Sequence, residues 1–90
     1  MTAESTGPGG FMPPVPAMPL MMAGEGQEVR LVEVLGGHGL ARRLAEMGLT
    51  PGTSMRVVAQ GRPGPFIVQV GESKLVLGRG MVHRVLVTPL

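Results

Sequence analysis

The chain has 90 residues and a formal net charge of +2, with 43% hydrophobic residues, 2% aromatic residues and no cysteine. The absence of cysteine excludes a disulfide framework, a thiolate metal site and a cysteine nucleophile, and it favours a reducing compartment. A chain this short provides one domain at most, and its core must be built from aliphatic side chains and methionine.

Residues 1–22 form the first segment, which holds five of the nine prolines and five of the eight methionines. No helical or strand periodicity is present there, so we expect a disordered arm. Prolines interrupt its apolar run and no lysine or arginine precedes it, which argues against a signal peptide and a membrane span. Binding of a soft metal such as Cu(I) is a second interpretation of the methionines.

Residues 23–90 are expected to form the folded domain. Its first strand is predicted over residues 28–35, where charged and apolar residues alternate. A helix of about two turns follows a glycine-rich break. One face of this helix carries three apolar side chains, Leu40, Leu44 and Met47. Gly48 fits a left-handed helix cap, and Pro51-Gly52 fits the centre of a type II turn.

Four further strands are predicted over residues 54–60, 66–70, 74–77 and 84–88, with a single helical turn over residues 81–83. Strands this short do not bury their apolar faces in an open sheet. We therefore expect an all-β fold, a small β-barrel of five strands with one short α-helix after strand one. The strand and helix periods predict a core of Val32, Val34, Leu40, Leu44, Met47, Leu49, Val57, Ile67, Val68, Leu75, Leu77, Val85 and Val87.

The side chains argue against catalysis. The chain has no aspartate, so a Ser-His-Asp triad is impossible, and we expect no enzymatic activity. Nucleic-acid binding is disfavoured because Phe66 is the only aromatic residue of the predicted domain. His38 and His83 are candidate metal ligands, but two histidines leave a four-ligand shell incomplete. No cofactor is expected to be required; weak binding of a divalent transition metal would need a carboxylate or a second copy of the chain.

Two runs of sequence stand out, LGGHGLARRLAEMGLTPG over residues 35–52 and LGRGM over residues 77–81. They resemble the signature of the FeoA family, the small cytosolic proteins of bacterial ferrous iron uptake, and the resemblance extends over residues 25–87. It implies an SH3-like β-barrel that serves as an adaptor for FeoB, the membrane ferrous-iron permease whose cytosolic part carries a GTP-binding domain.

The resemblance also implies a docking surface for that permease. The matching positions are Gly36, Gly37, His38, Gly39, Arg42, Arg43, Glu46, Arg79 and Met81. An exposed arginine pair beside a glycine loop offers bidentate donors and close backbone approach. The alternative is a solvated helix face in which Glu46 forms a local ion pair with the arginines.

The expected setting follows from the same resemblance. The protein is expected to be cytoplasmic, to reach the inner membrane only through its partner, and to bind no nucleic acid and insert into no membrane. Pairing of exposed strand edges between copies leaves a homo-oligomer open. An alternative function is a transition-metal-binding sensor, because the domain is also similar to the C-terminal module of DtxR-type iron-dependent repressors; no helix-turn-helix precedes it here.

Overall fold

The structure is a computed structural model that describes residues 17–61 and 63–90. Within these residues the chain forms six strands and two helices. The strands are β1 (Met18–Pro19), β2 (Glu28–Val34), β3 (Ser54–Gln60), β4 (Phe66–Val70), β5 (Ser73–Leu77) and β6 (Val85–Pro89). The helices are α1 (His38–Glu46) and α2 (Arg79–Val82), and a 3-10 turn covers Leu20–Met22. Neither helix of this described part is long enough to cross a membrane.

All six strands form one antiparallel sheet in the order β1-β6-β2-β3-β4-β5. A two-residue turn joins β4 to β5, and its Gly71 has a φ of +60°, as the first central position of a type II′ turn requires. The prediction of a mostly β fold with one principal helix is therefore confirmed, with six strands in place of five. Closure into a barrel stays a prediction, because β1 and β5 are the two edges of the described sheet.

The additional strand corrects the expected boundary after residue 22. β1 pairs with β6, Met18 opposite Val87, and the Leu20 side chain is 0% exposed in the core. The Gln60 side-chain amide also donates to the Ala23 carbonyl at 2.7 Å. These contacts are non-local, so the composition of the segment gave no sign of them. The remainder of the predicted arm, residues 1–16, lies outside the described residues.

The core is one cluster of side chains from β2 to β6, from the 3-10 turn and from both helices. Seven predicted members are buried: Leu44, Leu49, Val57, Val68, Leu77, Val85 and Val87. The other buried hydrophobic residues are Leu20, Ala23, Val29, Leu31, Met55, Phe66 and Val82. The sequence prediction therefore located the correct elements but not every inward position.

Six predicted core residues are only half-buried: Val32, Val34, Leu40, Met47, Ile67 and Leu75. Ile67 lies between the buried Phe66 and Val68, so alternation turns it to the other face of β4. In β2 the buried positions are Val29 and Leu31, one residue out of phase with the prediction. The half-buried Val34, Leu40, Met47 and Leu75 still pack against the edge of the core.

The turns around α1 follow the predicted local chemistry. Gly48 has a φ of +92°, its N–H donates to Ala45 O at 2.9 Å, and Leu49 N–H donates to Leu44 O at 2.8 Å. This pair of bonds is the Schellman motif, which confirms the left-handed cap. Gly52 has a φ of +98° and Thr53 N–H donates to Thr50 O at 3.0 Å, as a type II turn requires.

Candidate functional site

Helix α1 presents three different faces. Leu44 is fully buried, and Leu40 and Met47 pack against the core beside it. A second face, which contains Arg42, turns toward the end of β2 and lines a groove. Arg43 and Glu46 are exposed and do not line that groove. The helix is therefore anchored along one face only, and the other two faces are available for contact.

The groove between α1 and β2 has a volume of about 680 Å³. Its wall on β2 is Val32, Glu33 and Val34, and its base includes the buried Leu49 and the turn at Thr50 and Pro51. Its wall on α1 is His38, Gly39, Ala41, Arg42 and Ala45. Most of these side chains are apolar, and the charged ones are Arg42 and Glu33.

The predicted docking residues of the α1 region are all exposed: Gly36, Gly37, His38, Gly39, Arg42, Arg43 and Glu46. Among residues 17–61 and 63–90 the one ion pair joins Arg56 to Glu28 at 2.6 Å. Within that part of the chain, therefore, neither Arg42 nor Arg43 has a carboxylate within 4.0 Å. The predicted alternative, in which Glu46 neutralises these arginines locally, receives no support from this geometry.

Arg84 belongs to the same region, although the sequence did not indicate it. Leu35 N–H donates to Arg84 O at 2.7 Å, which brings the start of β6 against the glycine loop. A β-carbon at Gly36 would lie 3.0 Å from Arg84 Cδ and 3.1 Å from Arg84 Nη1. Gly36 also has a φ of +98°, so glycine is favoured by its conformation and by this close approach. Only the pairing of β2 with β6 reveals the contact.

Two further predicted residues, Arg79 and His83, line a second cavity of about 510 Å³. Its apolar lining includes Met21, Phe66 and Leu77. Met81 lines neither cavity; it is half-buried and packs against the core. The structure thus separates the predicted docking surface into an α1 region and an α2 region.

The two histidines line different cavities: His38 lines the groove of α1, and His83 lines the cavity beside α2. No group of three or more His, Cys, Asp or Glu side chains is placed to hold a metal ion within the described part of the chain. Phe66 is 4% exposed, so its ring is not available for stacking on a nucleic-acid base.

Two sequence comparisons identify relatives of this chain. The model of the FeoA domain family matches residues 18–89, a match that begins where β1 begins. A protein of Methanocaldococcus jannaschii named as a candidate Fe(2+) transport protein A is 33% identical over 69 residues. The alignment covers 77% of this chain and 83% of that protein.

Solved structures share the fold. A crystal structure of an iron uptake regulatory protein (FeoA) has a TM-score of 0.75 and 37% identity, covering 84% of this chain and all of its own (100%). The solution structure of a FeoA protein from Chlorobium tepidum has a TM-score of 0.72 and 23% identity, covering 81% of this chain and 70% of its own. A manganese-dependent transcriptional repressor has a TM-score of 0.80 and 22% identity, covering 93% of this chain but 48% of the repressor, a likeness of fold alone. From the family match and the 33% identity to a transport protein, the chain belongs to the FeoA domain family, which consists of small accessory transport proteins rather than enzymes.

Proposed function

We propose that this protein is a cytoplasmic accessory protein of ferrous iron uptake that docks on the cytosolic GTP-binding part of a FeoB-type permease. Family membership and the sequence identity to a candidate Fe(2+) transport protein support a role in ferrous iron uptake. Because the proposed docking site lies on the cytosolic part of a membrane permease, the protein is cytoplasmic and reaches the inner membrane only through this partner. The docking surface is the exposed side of α1 together with the glycine loop before it.

The observation that carries this proposal is the exposure of Arg42 and Arg43, which form no ion pair with the described part of the chain. Both side chains are exposed on a helix whose Leu44 is buried in the core, and no carboxylate within residues 17–61 and 63–90 neutralises them. Guanidinium groups presented in this way form bidentate contacts with carboxylates of a partner surface. At the neighbouring Gly37, a β-carbon would have no neighbour within 4 Å, so the partner backbone can approach closely there.

Docking regulates transport by changing the fraction of permease molecules in each conformation. If the domain binds one conformation of the permease more tightly than another, it favours that conformation in proportion to the ratio of the two affinities. A tenfold ratio corresponds to about 1.4 kcal/mol. The experiment sets the conformation of the GTP-binding domain by supplying either GDP or a GTP analogue.

The test is a binding titration between the purified protein and the cytosolic GTP-binding domain of the permease, with GDP and with a non-hydrolysable GTP analogue. We expect the double variant Arg42→Glu, Arg43→Glu to bind roughly tenfold more weakly or worse, because two attractions become repulsions. The matched control is Arg30→Glu, Lys74→Glu, which makes the same charge change at exposed positions of β2 and β5 outside the groove.

A folded Arg42→Glu, Arg43→Glu variant that binds as the wild type does would show that the α1 face is not the docking surface. Equal weakening by the control pair would indicate a general charge effect instead. Equal affinity for the GDP and GTP-analogue states would contradict the population-shift mechanism, while leaving the docking surface in place.

A further inference from the structure

The β2 wall of the groove is shaped by a β-bulge. Along the β2–β6 ladder, Leu31 pairs with Val87 and Glu33 pairs with Leu86, so Val32 is an additional residue without a partner in β6. A bulge interrupts the alternation of side chains and redirects those that follow it. Here Glu33 is exposed, and Val32 and Val34 are half-buried and line the groove.

The α1 wall is shaped by small residues. Ala41 and Ala45 lie one helical turn apart on the groove side, and between them Arg42 projects at the rim. Small side chains at this spacing allow a second helix to approach α1 to the 8–10 Å that packed helices adopt. Together with the two valines and the buried Leu49 they make an apolar trough between two charged rims, Arg42 on α1 and Glu33 on β2.

From this geometry we infer that the groove seats an amphipathic helix of the partner protein. The apolar stripe of that helix packs on Val32, Val34 and Ala45, a carboxylate on one flank pairs with Arg42, and a basic side chain on the other flank pairs with Glu33. Helix-in-groove recognition uses this combination of an apolar stripe and oriented flanking charges. The rim charges, opposite in sign, fix the direction in which the partner helix can lie.

This inference rests on the proposed function and extends it. In the docking surface proposed above, Arg42 and Arg43 supply electrostatic attraction, which acts mainly on the association rate. The trough supplies the desolvated apolar contact that carries most of the affinity in protein interfaces. Arg42 belongs to both surfaces, whereas Arg43 does not line the groove and Ala45 carries no charge, so substituting Ala45 tests the trough without changing either arginine.

The variant that tests the trough is Ala45→Glu. Ala45 is exposed and both residue types favour helices, so the substitution adds bulk and charge to the trough without disturbing the core. The matched control is Val76→Glu on β5, where an apolar side chain that is 61% exposed outside the groove receives the same charge.

Two probes are used on the full chain. The first is a designed amphipathic peptide of about 15 residues with a leucine stripe, glutamates on one flank and lysines on the other. Its binding is measured by the NMR shifts of the protein's backbone amides. We expect saturable shifts at Val32, Val34, Ala41 and Ala45, lost in Ala45→Glu and retained in Val76→Glu. The second is the GTP-binding domain of the permease, whose affinity we expect to fall roughly tenfold in Ala45→Glu alone.

The outcomes separate the two proposals. If the permease domain binds wild type and Ala45→Glu equally and the peptide shifts none of these amides, the groove inference is overturned and the proposed function stands. If the peptide shifts them but the permease domain does not bind the wild type, the proposed function fails and the trough serves another partner helix. If neither probe binds, both are overturned. If the same amides shifted with protein concentration in the absence of peptide, the groove would be occupied by a second copy of the chain, and the inference of a partner helix would be overturned.

Discussion

Gly48 ends α1 in the left-handed conformation, and its replacement isolates the conformational cost of that cap. A β-carbon at Gly48 would have no neighbour within 4 Å, so Gly48→Ala should destabilise the fold by about 1 kcal/mol through backbone strain alone. The matched control is Gly39→Ala, inside α1 with equally open surroundings. It should stabilise the fold by up to about 1 kcal/mol. Urea unfolding curves measure both changes in unfolding free energy. If the two substitutions changed it in the same direction, the account of the cap would be contradicted.

Residue-scale features were predictable from the sequence where their cause is local. The cap at Gly48 and the turn at Gly52 depend on a few neighbouring residues, and the structure confirms both conformations. The contact of Arg84 with Gly36 was not predictable, because it exists only after β2 and β6 pair. The individual roles of Arg42, Arg43 and Glu46 in docking stay predictions that the proposed binding titration tests.

At the scale of elements, the sequence indicated where strands and helices lie, but the bulge in β2 and the strand β1 were missed. The bulge at Val32 does have a local signal, since the adjacent apolar residues Leu31 and Val32 interrupt the alternation of the run over residues 28–35. The strand at Met18–Pro19 lies in a segment whose prolines suggested disorder. Both features depend on pairing with β6, the last strand of the chain.

The N-terminal element makes a quantitative prediction. Leu20 is 0% exposed, so Leu20→Ala removes apolar contacts and leaves a cavity, and it should cost roughly 2–5 kcal/mol of unfolding free energy. Met22→Ala in the same 3-10 turn is the control, because Met22 is 65% exposed and should cost little. Thermal or urea unfolding measures the difference. If both variants had wild-type stability, residues 18–22 would not belong to the folded domain in solution.

At the scale of the whole molecule, the positions of the histidines make a prediction about metal binding. His38 and His83 line different cavities, and within residues 17–61 and 63–90 no group of three or more His, Cys, Asp or Glu side chains could supply a four-ligand site. We expect calorimetric titration with Zn(II) or Fe(II) to show weak binding only, with independent and additive effects of His38→Ala and His83→Ala. Tight binding that either substitution alone abolishes would instead indicate a site shared between copies, and would favour the metal-sensor function over the adaptor.

The central position of β6 has a consequence for how the chain matures. Both β1 and β2 form their ladders with β6, so neither early strand acquires that neighbour until residues 85–89 have left the ribosome. Long-range pairing of this kind slows folding, because distant segments lose chain entropy on coming together before favourable contacts between them can offset that loss. A nascent chain arrested before residue 85 should therefore remain protease-sensitive, and a stable domain should form only after residues 85–89 have emerged.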